Sequence, residues 1–271
     1  MSGFSFSEQQ LADLASQVLD QARQQGASDC DVEISESFGQ NVTVRLGDVE
    51  TIEYNRDKGM GVTVYVGKQK KGHASTSDFT ASALADTVGA ALAIARFTAA
   101  DEYAGLPERE RLATHFPDLD LYHPWDLPVE GAIALAKECE DAARAVDSRI
   151  SNSEGGSTST HASRWVYGNS QGFIGTGTGS RYSISAAVIA EDDSGMQRDY
   201  WYSSVRDATE LENAAAIGRR AGERAVRRLG AQRVKTGEYP VLFEAPVAAS
   251  LLSHWVSAVS GGSLYRKSSF F

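Results

Sequence analysis

The residues best able to hold a metal or attack a carbonyl in this 271-residue chain are five histidines and two cysteines. A zinc hydrolase helix sets two imidazoles on neighbouring turns so that both reach one ion, with a glutamate beside them to take a proton from water. None of the five histidines is followed by Glu: the pairs read His73-Ala74, His115-Phe116, His123-Pro124, His161-Ala162 and His254-Trp255. A helical zinc site of that type is therefore not expected, and the scattered histidines read as solvated or hydrogen-bonded structural residues. Cys30 sits between Asp29 and Asp31, whose charges disfavour a thiolate, and Cys139 falls on an apolar helical stripe. Both are expected to be packing residues. No nucleophile stands at recognisable spacing from a base.

Two further stretches bear on chemistry. The run GFIGTGTGSRYS at 172–183 is rich in glycine, but a phosphate cradle opens directly into a helix and this run continues into the alternating strand RYSISAAVIA. Gly175, Gly177 and Gly179 instead mark a strand face that another backbone approaches closely, either a neighbouring strand or a bound extended peptide. GMGVTVYVG at 59–67 has the same glycine-flanked form. The other stretch, SLLSHWVSAVSGGSLYRKS at 250–268, has apolar residues at helical spacing but carries Ser253, His254 and Ser257 where a hydrolase helix would show ligands.

The elements that must position these residues follow from hydrophobic period. Ser7 and Gln10 form a capping box ahead of Leu11, Leu14, Ala15, Val18, Leu19 and Ala22, one helical stripe that stops at Gly26. Strand alternation follows at Val32 and Ile34, at Val42, Val44 and Leu46, and at Val62, Val64 and Val66, with GKQKKGH as a hairpin turn and HASTS as a returning strand. Ser77 or Asp78 is expected to cap a second helix whose inner face carries Leu84, Val88, Ala91, Leu92 and Ala95. Periodicity then fades from Thr98 to Pro128. A third helix to about Val146, three strand-like runs and a helix opening at Asp207 repeat the same order, which ends in a short strand at 240–243 and a helix begun by Pro246 and stopped by Gly261 and Gly262.

The predicted class is α+β: two helix–strands–helix units, a duplication by order of elements alone, with antiparallel sheets, then the start of a C-terminal domain. The divisions are 1–97, a connector at 98–128, a second unit at 129–235, and 236–271 as the opening of a peptidase-like domain that reads as truncated. A formal charge of −10 and a pI near 5.0 oppose phosphate backbones and anionic lipid as partners. The absence of a long apolar run and of a secretory leader pattern, with so few cysteines, predicts a cytoplasmic protein.

The stretches GDVETIEYNRDKGMGVTVYVGKQKKGHASTSDFT and YPVLFEAPVAASLLSHWVSAVSGGSLYRKSSF closely resemble the PmbA/TldD family and, within it, the PmbA (TldE) branch. The likeness runs along essentially the whole chain. It implies a subunit of a heterodimeric metallopeptidase that trims unfolded or extended peptides, in which the TldD-type partner binds zinc or a similar ion through a His-Glu-x-x-x-His helix. Laid over this chain by the Leu-Leu before it, that motif falls on Ser253 to Ala258, so Ser253, His254 and Ala258 replace its two histidines and its glutamate. The resemblance thus implies no metal and no catalytic residue here, with Ser257, Tyr265, Arg266 and Lys267 as candidate peptide contacts. Two alternatives stay open: a non-enzymatic interaction module of the gyrase-modulator type, and a self-sufficient homodimeric hydrolase.

Overall fold

The computed structural model describes residues 3–67 and 69–271; Lys68, in the predicted turn of GKQKKGH, lies outside them. Residues 1–231 and 232–271 form two compact units. The larger one has the order α1 (Glu8–Gln24), β1 (Asp29–Arg45), β2 (Asp48–Val66), β3 (Lys70–Thr76), α2 (Ala81–Phe97), α3 (Val129–Arg144), β4 (Ile150–Asn169), β5 (Ile174–Asp192), β6 (Gly195–Val205) and α4 (Ala214–Arg227). Its six strands make one antiparallel sheet in the order β3-β2-β1-β4-β5-β6. The fold is α+β, as the runs of strands between helices require, and the strands of both predicted units join through β1 and β4.

Local chemistry explains most boundaries. Ser7 caps α1 with the full capping box, since its hydroxyl accepts from Gln10 and Gln10 accepts from the Ser7 amide. Leu46 and Gly47 both take positive φ, the two-residue turn that matches the twist of a hairpin. That turn is anchored from outside the hairpin: the fully buried Glu140 of α3 accepts from the Leu46 and Gly47 amides at 2.7 and 2.9 Å, and Lys137 donates to the Gly47 carbonyl.

Several boundaries differ from expectation. The alternating runs at 32–34 and 42–46 are one strand, because SESFGQ contains no turn and Gly39 packs where a Cβ would lie 2.1 Å from the Thr160 carbonyl oxygen of β4. Thr80, not Ser77 or Asp78, caps α2; the Asp78 carboxylate is taken up by the Thr80 amide, so the chain is still turning there. Asp207 caps only a 3-10 turn at Ala208–Glu210, and α4 starts later, capped by Asn213. No strand forms at 240–243.

All four helices lie on one face of the sheet, the face of the even-numbered residues along most of β1. Under α1 and α2 the core is built from Leu11, Val18, Ile34, Met60, Leu84 and their neighbours. Under α3 and α4 it is built from Cys139, Ala143, Ala186, Ala190, Ala214, Ile217, Ala221 and Ala225 with Ile184 and Val188. The cysteines are packing residues, as expected: burial first, then neighbouring carboxylates, push the Cys30 thiol up to about 11 and Cys139 up to about 12.

The smaller unit contains α5 (Ala245–Ala258) and α6 (Gly261–Tyr265). Pro246 stands in the first turn of α5, where its missing N–H costs nothing. Gly261 and Gly262 do not stop this helix; it ends at Ala258 and the two glycines open α6.

Candidate functional site

Because the helices cover one face, the odd-numbered residues of β1 and their cross-strand partners form a helix-free face. It is lined by small hydroxyl side chains that bond across strands, as Thr43 to Ser157 at 3.0 Å and Ser159 to Ser183 at 2.7 Å. Toward β5 an indole lies on this face. Trp165 occupies the space over Gly177, where a Cβ would come 2.4 Å from the ring. The close approach at Gly177 is thus made by a side chain, not by a strand or a peptide. At Gly179–Ser180 the connector approaches, and its Leu121 carbonyl accepts from the Ser180 amide at 2.9 Å.

Toward β3 the same face holds a groove of about 750 Å³, lined by Asp31, Glu33 and Ser35 of β1, Gly59–Gly61 and Thr63 of β2, His73, Ser75 and Thr76 of β3, Ser77 and Tyr167. Burial pushes the Asp31 carboxyl above its ordinary value, partly offset by the Thr63 and Tyr65 hydroxyls. Tyr65 donates to Asp31 at 3.4 Å, and burial, then the Asp31 charge, pushes its phenol up to about 12. Thr63 and His73 lie 3.3 Å apart. Among the described residues no Lys or Arg lines this groove, and two carboxylic side chains do.

Beside the groove the sheet has an unpaired edge. β3 pairs with β2 only over Met60–Val66, so residues 48–59 of β2 are bonded on their β1 side, and no strand among the described residues takes the other. The glycine-flanked run GVTVYV is itself paired on both sides.

The residues predicted from the C-terminal stretch lie in the smaller unit. The Ser253 hydroxyl donates to the Ala249 carbonyl at 3.3 Å and Ser257 to the Ser253 carbonyl at 2.9 Å, both turned back onto the helix. His254 is exposed, and Ala258 is the buried residue of α5. Tyr265 closes α6, Arg266 is its C-cap, and Lys267 follows at φ +52. α5 therefore offers one imidazole and three hydroxyls, of Ser250, Ser253 and Ser257, each bonded to its own backbone, not the three ligands of a catalytic zinc. Among the described residues no three His, Cys, Asp or Glu side chains cluster as a metal site. Sequence reasoning passed over Asp31 and Glu33 as functional groups. Their signal was acidic residues at period two, Asp29, Asp31 and Glu33, opposite the apolar Val32 and Ile34.

Comparison with known proteins sets these observations in a family. Residues 30–95 match the PmbA/TldA metallopeptidase domain 1, and 122–229 match the PmbA/TldA metallopeptidase central domain. A metalloprotease PmbA homolog of Haemophilus influenzae is 41% identical over 97% of this chain and 58% of its own length. Metalloprotease PmbA of Escherichia coli O157:H7 is 42% identical over 90% of this chain and 54% of its own. The chain thus spans little more than half the length of these relatives. A crystal structure from Bacteroides thetaiotaomicron, named for modulation of DNA gyrase, superposes with a TM-score of 0.88 at 27% identity, covering 95% of this chain and 59% of that one. TldE from Thermococcus kodakarensis shares the fold with a TM-score of 0.62 at 15% identity, over 79% of this chain and 47% of its own. Two adjoining domains of one family and relatives above 40% identity lead to the same assignment: the chain belongs to the PmbA/TldD family, in its PmbA branch.

Proposed function

We propose that this chain acts as the non-metallated subunit of a TldD/PmbA-type heterodimeric metallopeptidase that processes unfolded or extended peptides, the TldD-type partner supplying the zinc or similar ion. The observation that carries this reading is the donor set of α5. At the positions where the family resemblance places two histidines and a glutamate stand Ser253, His254 and Ala258. A single imidazole with hydroxyls bonded to helix carbonyls does not make up the set of ligands that holds a catalytic ion against water. The contribution of this chain is then to enclose and hold substrate. Its hydroxyl-lined face and unpaired strand edge suit an extended main chain, which binds by completing a ladder of backbone hydrogen bonds. The negative charge disfavours nucleic acid and not a protein partner.

The test is a metal analysis joined to an activity assay. Full-length protein alone should bind no stoichiometric zinc and cleave no unfolded peptide; mixed with a TldD-type chain it should form a complex that contains metal and cleaves. Tight stoichiometric zinc on the isolated protein, or cleavage without a partner, would overturn the reading. A second reading, a non-catalytic interaction module, is favoured by the gyrase-modulator name of the Bacteroides thetaiotaomicron structure. It predicts a partner complex with no peptide cleavage in the same assay.

A further inference from the structure

We propose that the unpaired edge of β2 at residues 48–59 takes an extended peptide antiparallel to it, whose free α-ammonium seats in the acidic groove beside Gly59. This rests on the reading of the chain as a peptide-holding subunit and adds where the peptide lies, in which direction, and which end is recognised.

The register of the sheet sets the direction. β3 runs antiparallel to β2, from Lys70 opposite Val66 to Thr76 opposite Met60, and then turns away toward α2. From Gly59 onward its row beside β2 holds no strand among the described residues. At about 3.3 Å per residue the open edge is roughly 40 Å long, enough for a peptide of about ten residues. A peptide that continues the β3 row in the same direction begins beside Ser77 and Gly59, so its amino terminus abuts the groove.

The groove there has the chemistry of an ammonium site. Glu33 pairs with Gly61 and Ser35 with Gly59, while Asp31 pairs with Thr63; the His73 ring covers Gly61, where a Cβ would lie 3.1 Å from it, so the bare part of the floor is at Gly59. A Cβ built at Gly59 meets nothing within 4 Å, which shows open space over that position. Among the described lining residues two are carboxylic, most of the rest can accept hydrogen bonds, and only His73 can carry positive charge. The nearest β2 cation does not neutralise them: Lys58 lies on the helix side, with its ammonium over the Phe79 and Phe6 rings at 4.8 and 5.8 Å. A primary ammonium, with three donors and one positive charge, complements this lining, whereas a peptide carboxylate is repelled by it.

The experiment uses full-length protein and hexapeptides of alternating valine and threonine, measured by calorimetry. A free amino terminus should bind about tenfold tighter than the N-acetylated form. Glu33→Gln should weaken the free-amine peptide by a similar factor and leave the acetylated one unchanged, and N-methylation of alternate peptide amides should abolish binding of both. Glu33 is exposed, so the variant should keep its thermal midpoint; Gly59→Val, which grows into open space, should reduce binding as a second test. Equal affinity of free and acetylated peptides, an equal effect of Glu33→Gln on both, or indifference to N-methylation would overturn the proposal. Cleavage by the complex with a TldD-type chain, in the absence of any free-amine preference, would sink this inference and leave the subunit reading standing. A free-amine preference without cleavage in any complex would support the groove and remove the subunit reading.

Discussion

The two helix pairs pack on the same face of one sheet with opposite kinds of core. Under α1 and α2 the space is filled largely by Leu11, Leu19, Ile34, Met60, Leu84 and Leu92, although α2 also comes down onto Gly72 of β3, where a Cβ would lie 2.1 Å from the Ala91 carbonyl oxygen. Under α3 and α4 it is filled mainly by alanine, and the helices also meet each other through glycine: a Cβ at Gly218 would lie 1.9 Å from the Cys139 carbonyl oxygen, and one at Gly222 would lie 2.5 Å from that of Ala143. Closeness there comes from having nothing to fill. The first region should therefore suffer most from truncation and the second most from enlargement.

The largest expected effect is in the first region. Leu11→Ala removes a fully buried side chain and should cost about 4 kcal/mol in denaturant unfolding, while Ala221→Gly in the second core should cost only about 1 kcal/mol, chiefly helix propensity. Next, Gly218→Ala should destabilise by about 3 kcal/mol although alanine is the better helix former, because the added carbon meets backbone that moves only with the whole of α3. A neutral or stabilising Gly218→Ala would break the contrast. Glu140→Gln tests the contact that ties the regions together. Exchanging one acceptor oxygen for a donor opposite the Leu46 or Gly47 amide should cost about 2 kcal/mol and speed exchange of those amides.

The smallest effect is a dependence on acid shared by both regions. Burial alone would raise the Glu36 carboxyl, but the Ser5 and Phe6 amides and Arg56 outweigh it and hold its pKa below the ordinary value. Asp199 is likewise depressed: burial opposes, while the Tyr200 amide, Arg224 and Arg228 prevail. The unfolded chain then takes up protons first as pH falls. The stability these groups lend is complete above ordinary carboxylate values and is lost through the lower folded ones. Melting midpoints should drop on acidification below about pH 4.5, and the drop should be shallower in Glu36→Gln/Asp199→Asn.

What could be read from the chain beforehand was what neighbours in sequence decide. Ser7 and Gln10 fixed the start of α1 because both halves of the capping box lie within one turn, and the apolar stripes of α1 and α2 became buried except at Leu14, which is half-buried. The errors lie where a residue had two local uses: Asp78 and Asp207 look like helix caps and instead close tight turns just ahead of one. The merging of two predicted strands into β1 depends on Thr160 of a distant strand leaving room only for Gly39. For the candidate site, the donor set of α5 was legible in full, since which residues stand at 253, 254 and 258 needs no structure. The acidic groove was not, since it exists only once the register sets Glu33 across from Gly61 and ends β3 opposite Met60.

The place of β1 between β2 and β4 has a consequence for how the molecule reaches this state. On one side its partner arrives through a two-residue turn; on the other, Gln40 meets Thr160, 120 positions along the chain. The hairpin can form in microseconds, but until synthesis has delivered β4 the opposite edge of β1 stays open to stray strands. Maturation of the nascent polypeptide is thus paced by closure of that long loop, and this is the interval in which a chaperone would matter most.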